Sequence, residues 1–172
     1  GYFGGAMKLF VLDAKSAQLY EYRNNTKIAY ALSGCPVSGR LGMKMLGNGK
    51  LLVYRYDGGA WYMGTLDGGI CTLTQLAGRA KMSEQNADVI TRDHSIVTAE
   101  KTGAGVKFTE VFAQGGEVSA RTNVVADAVF CGSADTDGNP VVRTADGLRR
   151  VNLTAGGFTL SALAVTNIER SL

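Results

Sequence analysis

Short β-type runs separated by glycine turns recur along this sequence, and they restrict the folds that it can adopt. The clearest example is residues 50–76, where three runs rich in β-branched and aromatic residues are separated by Asp-Gly-Gly at 57–59 and at 67–69. Such pairs are strong hairpin signals, because tight hairpin turns need positive φ and glycine adopts it without a Cβ clash. We therefore predict an all-β fold built from consecutive hairpins.

Three further segments have this pattern of runs and turns: residues 8–32, residues 95–121 and the segment that begins at Pro140. The second turns of the four segments begin at residues 24, 68, 115 and 156, so they are 44, 47 and 41 residues apart. Periods of this length are typical of propellers and solenoids. We therefore predict four units, which are called the front, second, third and fourth units.

A further apolar run precedes the first hairpin of three units, at residues 41–46, 87–91 and 128–131. The front unit has no such run, but residues 162–167 near the chain's end resemble residues 87–92. A lone meander exposes both faces, so it must stack on neighbours to bury its apolar surface. We therefore predict about four antiparallel four-stranded units, closed into a ring by pairing of the C-terminal strand with the front unit. The same hairpins could instead form a β-sandwich or a barrel.

In the number and length of its units, the chain resembles a four-bladed β-propeller. The resemblance spans residues 7–172 and concerns architecture only, so it implies no particular function. The units lack the Trp-Asp endings and Gly-His starts of WD40 repeats, and they lack the repeated aromatic-rich motif of hemopexin-like blades.

The composition is that of one globular domain. The chain has 172 residues, 45% of them hydrophobic, which is enough for a single core, and we predict one domain over residues 7–172. The Gly-rich residues 1–6 are predicted to be a remnant of expression-vector sequence. The net charge of +3 comes without a run of like charges, so no nucleic-acid partner is expected. No segment reaches the roughly 18 apolar residues of a membrane span, so no membrane partner is expected.

Cysteine and histidine usage gives little room for catalysis or metal binding. Cys35, Cys71 and Cys131 are scattered, which favours reduced thiols in a cytoplasmic protein over one disulfide and a free thiol in a secreted one. They lack zinc-site spacing. His94, the only histidine, lies beside Asp93 in a predicted turn. A Ser-His-Asp catalytic triad or a Cys-His dyad would have to use it. We predict no enzyme activity, no cofactor and no metal site.

Residues 135–139, Asp-Thr-Asp-Gly-Asn, resemble the start of a calcium loop, because Ca²⁺ prefers several oxygen ligands on a sharply turned backbone. The acidic residue that completes an EF-hand is missing. The segment also occupies the same place in its unit as residues 47–49 and 93–94, which follow the apolar runs of the second and third units. We favour a turn, and calcium binding by Asp135 and Asp137 is the alternative.

Four aromatic residues of the second unit are candidates for stacking on a sugar ring: Tyr54, Tyr56, Trp61 and Tyr62. Aromatic residues on neighbouring strands are also what a half-buried sheet uses for cross-strand packing. The positions aligned with Trp61 in the other units are Gln18, Val106 and Leu148, so a sugar site repeated in every unit is not predicted.

Three arginines of the fourth unit are candidates for binding an anionic partner: Arg143, Arg149 and Arg150. A guanidinium group binds carboxylates and phosphates through two parallel hydrogen bonds. Charged residues on strands also protect sheet edges from aggregation, which is the alternative interpretation.

Three functions are compatible with these features. The first is a non-enzymatic interaction module with a protein partner. The second is a glycan or small-molecule binder that uses a central channel lined by the first strand of each unit. The third is a structural component of a phage or mobile-element assembly. The predicted channel residues are Met43, Met45, Val89, Thr91, Phe130, Cys131 and Val165.

Overall fold

The computed structural model describes most of the chain, and in this part every regular element is a β-strand. The all-β prediction is therefore confirmed. Within the described part, no helix has the length and apolar character that crossing a membrane would require. The described residues are 2–3, 6–13, 15–34, 39–56, 59–82, 89–154 and 156–163.

The front and second units share one seven-stranded sheet in the order β3-β4-β5-β9-β8-β7-β6. A short pair, β1 and β2, precedes this sheet. Neighbours in the sheet are antiparallel except β5 and β9, which pair in parallel. The strands are β1 (Tyr2–Phe3), β2 (Ala6–Met7), β3 (Leu9–Asp13), β4 (Gln18–Arg23), β5 (Thr26–Ser33), β6 (Leu41–Met45), β7 (Leu51–Arg55), β8 (Trp61–Asp67) and β9 (Ile70–Gln75).

The third and fourth units are separate four-stranded antiparallel meanders in which each strand pairs with the next along the chain. The third unit consists of β10 (Val89–Thr91), β11 (Ser95–Thr102), β12 (Gly105–Gln114) and β13 (Glu117–Ala126). The fourth unit consists of β14 (Val129–Ala134), β15 (Pro140–Thr144), β16 (Gly147–Thr154) and β17 (Gly157–Ala162).

The second turns of the first three units have the backbone that their sequences predict. Both central residues of each turn have positive φ, the geometry that matches the twist of a two-residue hairpin. The φ values are 48° and 60° for Asn24 and Asn25, 52° and 80° for Gly68 and Gly69, and 64° and 81° for Gly115 and Gly116.

The units stack face to face in chain order, and β7 shows how. All four residues 51–54 are buried. Leu51 and Val53 pack in the cluster shared with the front unit, whereas Leu52 and Tyr54 pack in the cluster shared with the third unit. Alternate side chains of a strand point to opposite faces, so a continuous apolar run covers both neighbours. A third cluster, which includes Phe108 and Val151, joins the third and fourth units.

Two features differ from the predicted four-bladed ring. First, the parallel pairing of Ala31 with Ile70 and Ser33 with Thr72 joins two predicted blades edge to edge. The resulting sheet curls back on itself in a nearly closed, barrel-like arrangement. On its inner face, apolar side chains of the front and second units pack together in one hydrophobic cluster. Second, Ala162 ends β17 of the fourth unit, where it pairs with Arg149. The rest of the predicted closing strand, from residue 164, lies outside the described residues.

A candidate ligand-binding cleft between the third and fourth units

A cleft of about 590 Å³ lies where the third unit meets the fourth. Its walls come from the β10–β11 turn, β12 and β13 on one side, and from the β14–β15 turn and β16 on the other. The volume lies within the range of small-molecule sites, which runs from roughly 300 to 1,000 Å³. The cleft is therefore large enough for a small metabolite or a sugar unit.

The turns that join the first two strands of the second, third and fourth units lie side by side. The backbone N–H of Gly47 donates to the carbonyl of Arg92 at 2.8 Å, and Asn48 Nδ2 lies 3.1 Å from His94 Nδ1. On the other side, the backbone of Gly138 approaches Thr91 so closely that a Cβ would lie 3.0 Å from the Thr91 carbonyl oxygen. With a φ of 74°, position 138 needs glycine both for its conformation and for this contact.

The carboxylate of Glu110 lies at the floor of the cleft and is only 1% exposed. Its Oε1 accepts hydrogen bonds from Ser95 Oγ at 2.6 Å and Arg92 Nη1 at 3.1 Å. Its Oε2 accepts two from Arg121, from Nη2 at 2.7 Å and Nε at 3.2 Å. A buried charge is tolerated only when it is paired and hydrogen-bonded, and this carboxylate meets both conditions.

Two arginines against one carboxylate leave an excess of one positive charge at the floor. Arg92 and Arg121 are both partly exposed and line the cleft. The guanidinium carbon of Arg121 lies 4.5 Å from the ring centre of Phe112, a cation–π contact that helps to fix its position. Each guanidinium has five N–H donors, more than the contacts to Glu110 use, so donors are left for a ligand.

Acidic side chains stand at the rim of the same cleft. Asp93 and Asp137 are exposed and belong to its lining, as does the exposed His94. The cleft therefore offers hydrogen-bond donors at its floor and acceptors at its mouth. Such an arrangement suits a polar molecule that carries both kinds of group, for example a polyhydroxylated sugar or a zwitterion.

The predicted aromatic candidates lie in the core rather than in a cleft. Trp61 and Tyr54 are buried in the cluster between the second and third units, with ring centres 4.8 Å apart. Trp61 Nε1 donates to the carbonyl of Ala80 at 2.7 Å, and burial raises the pKa of Tyr54. Tyr62 is buried on the opposite face, and Tyr56 is partly exposed at the edge of Tyr54. This placement favours cross-strand packing over sugar stacking.

The three predicted arginines do not come together. Arg149 pairs with Val142 and shares its face of the sheet, whereas Arg143 and Arg150 lie on the other face. Arg149 lies 3.7 Å from a carboxylate oxygen of Asp146, and Arg143 is exposed. Arg150 Nε lies 2.6 Å from Asp135 Oδ2, so it anchors a turn of its own unit. A joint anion site of these three residues is therefore not formed.

Asp135 is a turn anchor whose two oxygens are already engaged. Its Oδ1 accepts the backbone N–H of Asn139 at 2.7 Å and that of Asp137 at 3.0 Å, and Oδ2 contacts Asn139 Nδ2 and Arg150. Burial raises the pKa of Asp135, but the hydrogen bonds from Asn139 and the charge of Arg150 outweigh it and leave the pKa lowered. In the described part of the chain, no group of three or more Asp, Glu, His or Cys side chains could hold a metal ion.

The residues predicted to line a central channel are separated. Met43 and Met45 pack against the core of the front and second units, and Phe130 packs against that of the third and fourth. Thr91 lines the cleft, and Cys131 is exposed. The side chains of the other two, at positions 89 and 165, lie outside the described ones.

The floor residues were not predicted, although one signal marks them. In β12, Val106, Phe108 and Glu110 occupy alternate positions, and all three are buried. A carboxylate in an inward-facing position of an apolar strand requires buried partners. Its partners come from β11, from β13 and from the residue after β10, so only the folded sheet could identify them.

A scan against protein-family models gives no match for this chain, and searches of curated proteins and of solved structures give none either. Function is therefore inferred from the cleft and from the surface of the molecule.

Proposed function

We propose that this protein is a non-enzymatic binding module whose cleft between the third and fourth units holds a small polar molecule. The observation that carries the proposal is Glu110, buried at the floor of the cleft and held between Arg92 and Arg121. Because the carboxylate holds both guanidinium groups in place before a ligand arrives, little side-chain entropy is lost on binding.

The same contacts support binding rather than catalysis. Glu110 accepts four hydrogen bonds, two of its donors being arginines, so it is poorly placed to act as a general base. His94 is exposed in a turn, and its described side-chain contact is with the amide of Asn48. The Ser95 hydroxyl that donates to Glu110 is itself buried, and the carboxylate that it contacts is already bound by two arginines, so this pair is unlike an activated nucleophile and its base.

The other functions predicted from the sequence would use the surface of the stack instead of the cleft. A protein-interaction module or a structural component of a phage or mobile-element assembly would dock through a sheet face or an edge. A cytoplasmic location is also a proposal, supported by the free thiol of Cys131.

For the scaffold, we propose a propeller-type stack of four units. The support is that the second and third units are each covered on both faces by their chain neighbours. Ring closure by the C-terminal run can be tested by removing residues 164–172, which leaves β17 intact. If that run closes a ring, cooperative unfolding is lost, whereas unchanged stability indicates an open stack.

The binding proposal can be tested by thermal shift with a panel of sugars, sugar acids and amino acids, confirmed by calorimetry. A ligand present at 100 times its Kd should stabilise the wild-type protein by about 2.7 kcal/mol. Thr136→Trp places bulk at the exposed mouth of the cleft without touching the Glu110 contacts, and it should abolish the shift. Arg143→Gln, outside the cleft lining, is the matched control and should retain it. A shift that survives Thr136→Trp, or a panel without any shift, contradicts the proposal.

A further inference from the structure

The outer face of the front unit is apolar, and no element in the described part of the chain covers it. Register places three cross-strand rows on it: Leu9 with Tyr22 and Lys27, Val11 with Tyr20 and Ala29, and Asp13 with Gln18 and Ala31. Leu9 is 58% exposed, Val11 41% and Tyr22 39%. Exposed apolar groups that form a contiguous patch commonly mark an interaction site, whereas scattered ones need no explanation.

The outer face of the fourth unit, at the other end of the stack, has a different composition. Register places three apolar residues on it, Val129, Val141 and Leu148, with Val129 and Leu148 on either side of Arg143. The other residues of this face are polar: Arg143, Arg150, Asn152, Thr159 and Ser161. The amide of Asn152 also donates to Ser161 Oγ at 3.0 Å. A terminal unit of a repeat stack needs a polar outer face, and the two arginines and the amide and hydroxyl groups make this face the more polar of the two. The front unit is apolar on both faces and is therefore built like an interior unit.

The fourth unit of the same chain is a poor match for the open face. Ring closure would bring the outer face of the fourth unit, with Arg143 and the ion pair of Arg150 with Asp135, against the apolar rows of Leu9 and Val11, which would desolvate these charged groups. The front face of a second copy is also apolar, so the two faces can bury each other's apolar side chains.

The charges at the corners of the face are also complementary to a second copy. Lys27 on β5 and Asp13 on β3 lie at diagonally opposite corners, with the apolar rows between them. Lys27 lies over the ring of Tyr20, with Nζ 3.9 Å from the ring centre, which keeps the amine on this face. A two-fold axis that lies in the plane of the contact and runs between these two corners places Asp13 of each copy beside Lys27 of the other.

We propose that the protein forms a two-fold dimer in which the outer faces of two front units pack against each other. An isologous contact of this kind closes on itself and leaves no free apolar face. The face is three strands wide and about five residues long, or roughly 14 Å by 17 Å. It is therefore only about a third of a standard interface of about 800 Å² per partner, and we expect a weak dimer with a Kd on the order of 100 μM. The cleft of the proposed function is not part of this contact.

Sedimentation equilibrium of the full chain, from about 1 μM to about 1 mM, tests the proposal. The wild-type mass should rise with concentration from that of an 18.1 kDa monomer to twice that value. Val11→Lys should keep the protein monomeric over the whole range, because it buries a like charge from each copy in the middle row of the contact. Lys27→Glu should weaken the dimer about tenfold by placing two carboxylates together.

Val124→Lys is the matched control, since Val124 is also on a strand and is 45% exposed, but in the third unit. It should dimerise like the wild type, and circular dichroism should show that all three variants are folded. A wild-type protein that stays monomeric at the highest concentration overturns the proposal, as does a dimer that survives Val11→Lys. Equal loss of the dimer in Val124→Lys would also overturn it, because the effect would then follow from added charge alone.

Discussion

The third unit and the front unit have similar apolar strands but different surroundings. In β11, Ile96 packs against the second unit and its neighbour Val97 against the fourth, so both are fully buried. In β3, Phe10 packs inside the curled sheet, whereas its neighbour Val11 is exposed. The burial of an apolar side chain in this protein therefore depends on the number of neighbouring units rather than on the hydrophobicity of its strand.

The buried glutamates of the two units show the same contrast. Glu110 of the third unit accepts hydrogen bonds from Ser95 and from two arginines. Glu21 of the front unit accepts one from the Tyr30 hydroxyl at 2.9 Å, and Lys8 Nζ lies 3.5 Å from its Oε1. Burial and the hydrogen bond to Glu21 raise the pKa of Tyr30. The buried carboxylate of the third unit, which is covered on both faces, therefore accepts more hydrogen bonds than the buried carboxylate of the front unit.

Among the truncations, the largest effect is expected for Phe108→Ala in the third unit. Phe108 is fully buried and contacts Phe130 of the fourth unit edge-on, with ring centres 5.8 Å apart. Its truncation should lower the free energy of unfolding by about 3 to 5 kcal/mol, because it leaves a cavity between two units. Urea unfolding measures the change. Val11→Ala is the front-unit control and should cost less than about 1 kcal/mol; equal losses would contradict the comparison.

Glu110→Ala should cost about 3 kcal/mol, because it leaves two partly buried arginines without their shared carboxylate. Glu21→Gln in the front unit keeps the side-chain volume and should cost about 1 kcal/mol or less. Chemical unfolding of both variants at neutral pH compares them directly. An equal loss of unfolding free energy in Glu21→Gln and Glu110→Ala would show that the stability of the front unit depends as strongly on its buried carboxylate charge.

Asp135→Ala should cost about 1 to 2 kcal/mol at pH 7, because it removes the anchor of the β14–β15 turn and the partner of Arg150. The folded-state pKa of Asp135 is lowered from 3.8, so its contribution is fully present above that pH. The contribution is lost as the pH falls through the lower folded-state value. The difference in unfolding free energy between wild type and variant should therefore shrink below about pH 4; a constant difference down to pH 2 would rule this linkage out.

The smallest effect is expected for Val11→Lys, measured on the monomer at low micromolar concentration. Because the side chain is 41% exposed, its replacement should change the unfolding free energy by no more than about 0.5 kcal/mol. The matched substitution in the third unit, Val97→Lys, should prevent stable folding, since Val97 is fully buried. A large loss in monomeric Val11→Lys would mean that the face is covered within one chain.

Local chemistry made the hairpins predictable. Asn24, Gly68 and Gly115 each begin a two-residue turn that requires positive φ, and the strands on both sides occur where the β-type runs predict them. The Asp135 segment was also correctly favoured as a turn, because its hydrogen bonds lie within five residues of chain. Turns can be predicted from sequence because their dihedral angles and hydrogen bonds involve residues that are close together in the chain.

The all-β class, the turns and the apolar runs that must be covered could therefore be predicted from local sequence. How the runs are covered depends on the folded chain: the parallel pairing of β5 with β9, the burial of Trp61, and the contacts of Arg92 and Arg121 with Glu110. The physical reason is that hairpin geometry depends on adjacent residues, whereas pairing between units and the solvation of a charge depend on residues distant in the chain. The same reason applies to the front unit, where an apolar run of the interior type faces solvent because no neighbour in the described chain covers it.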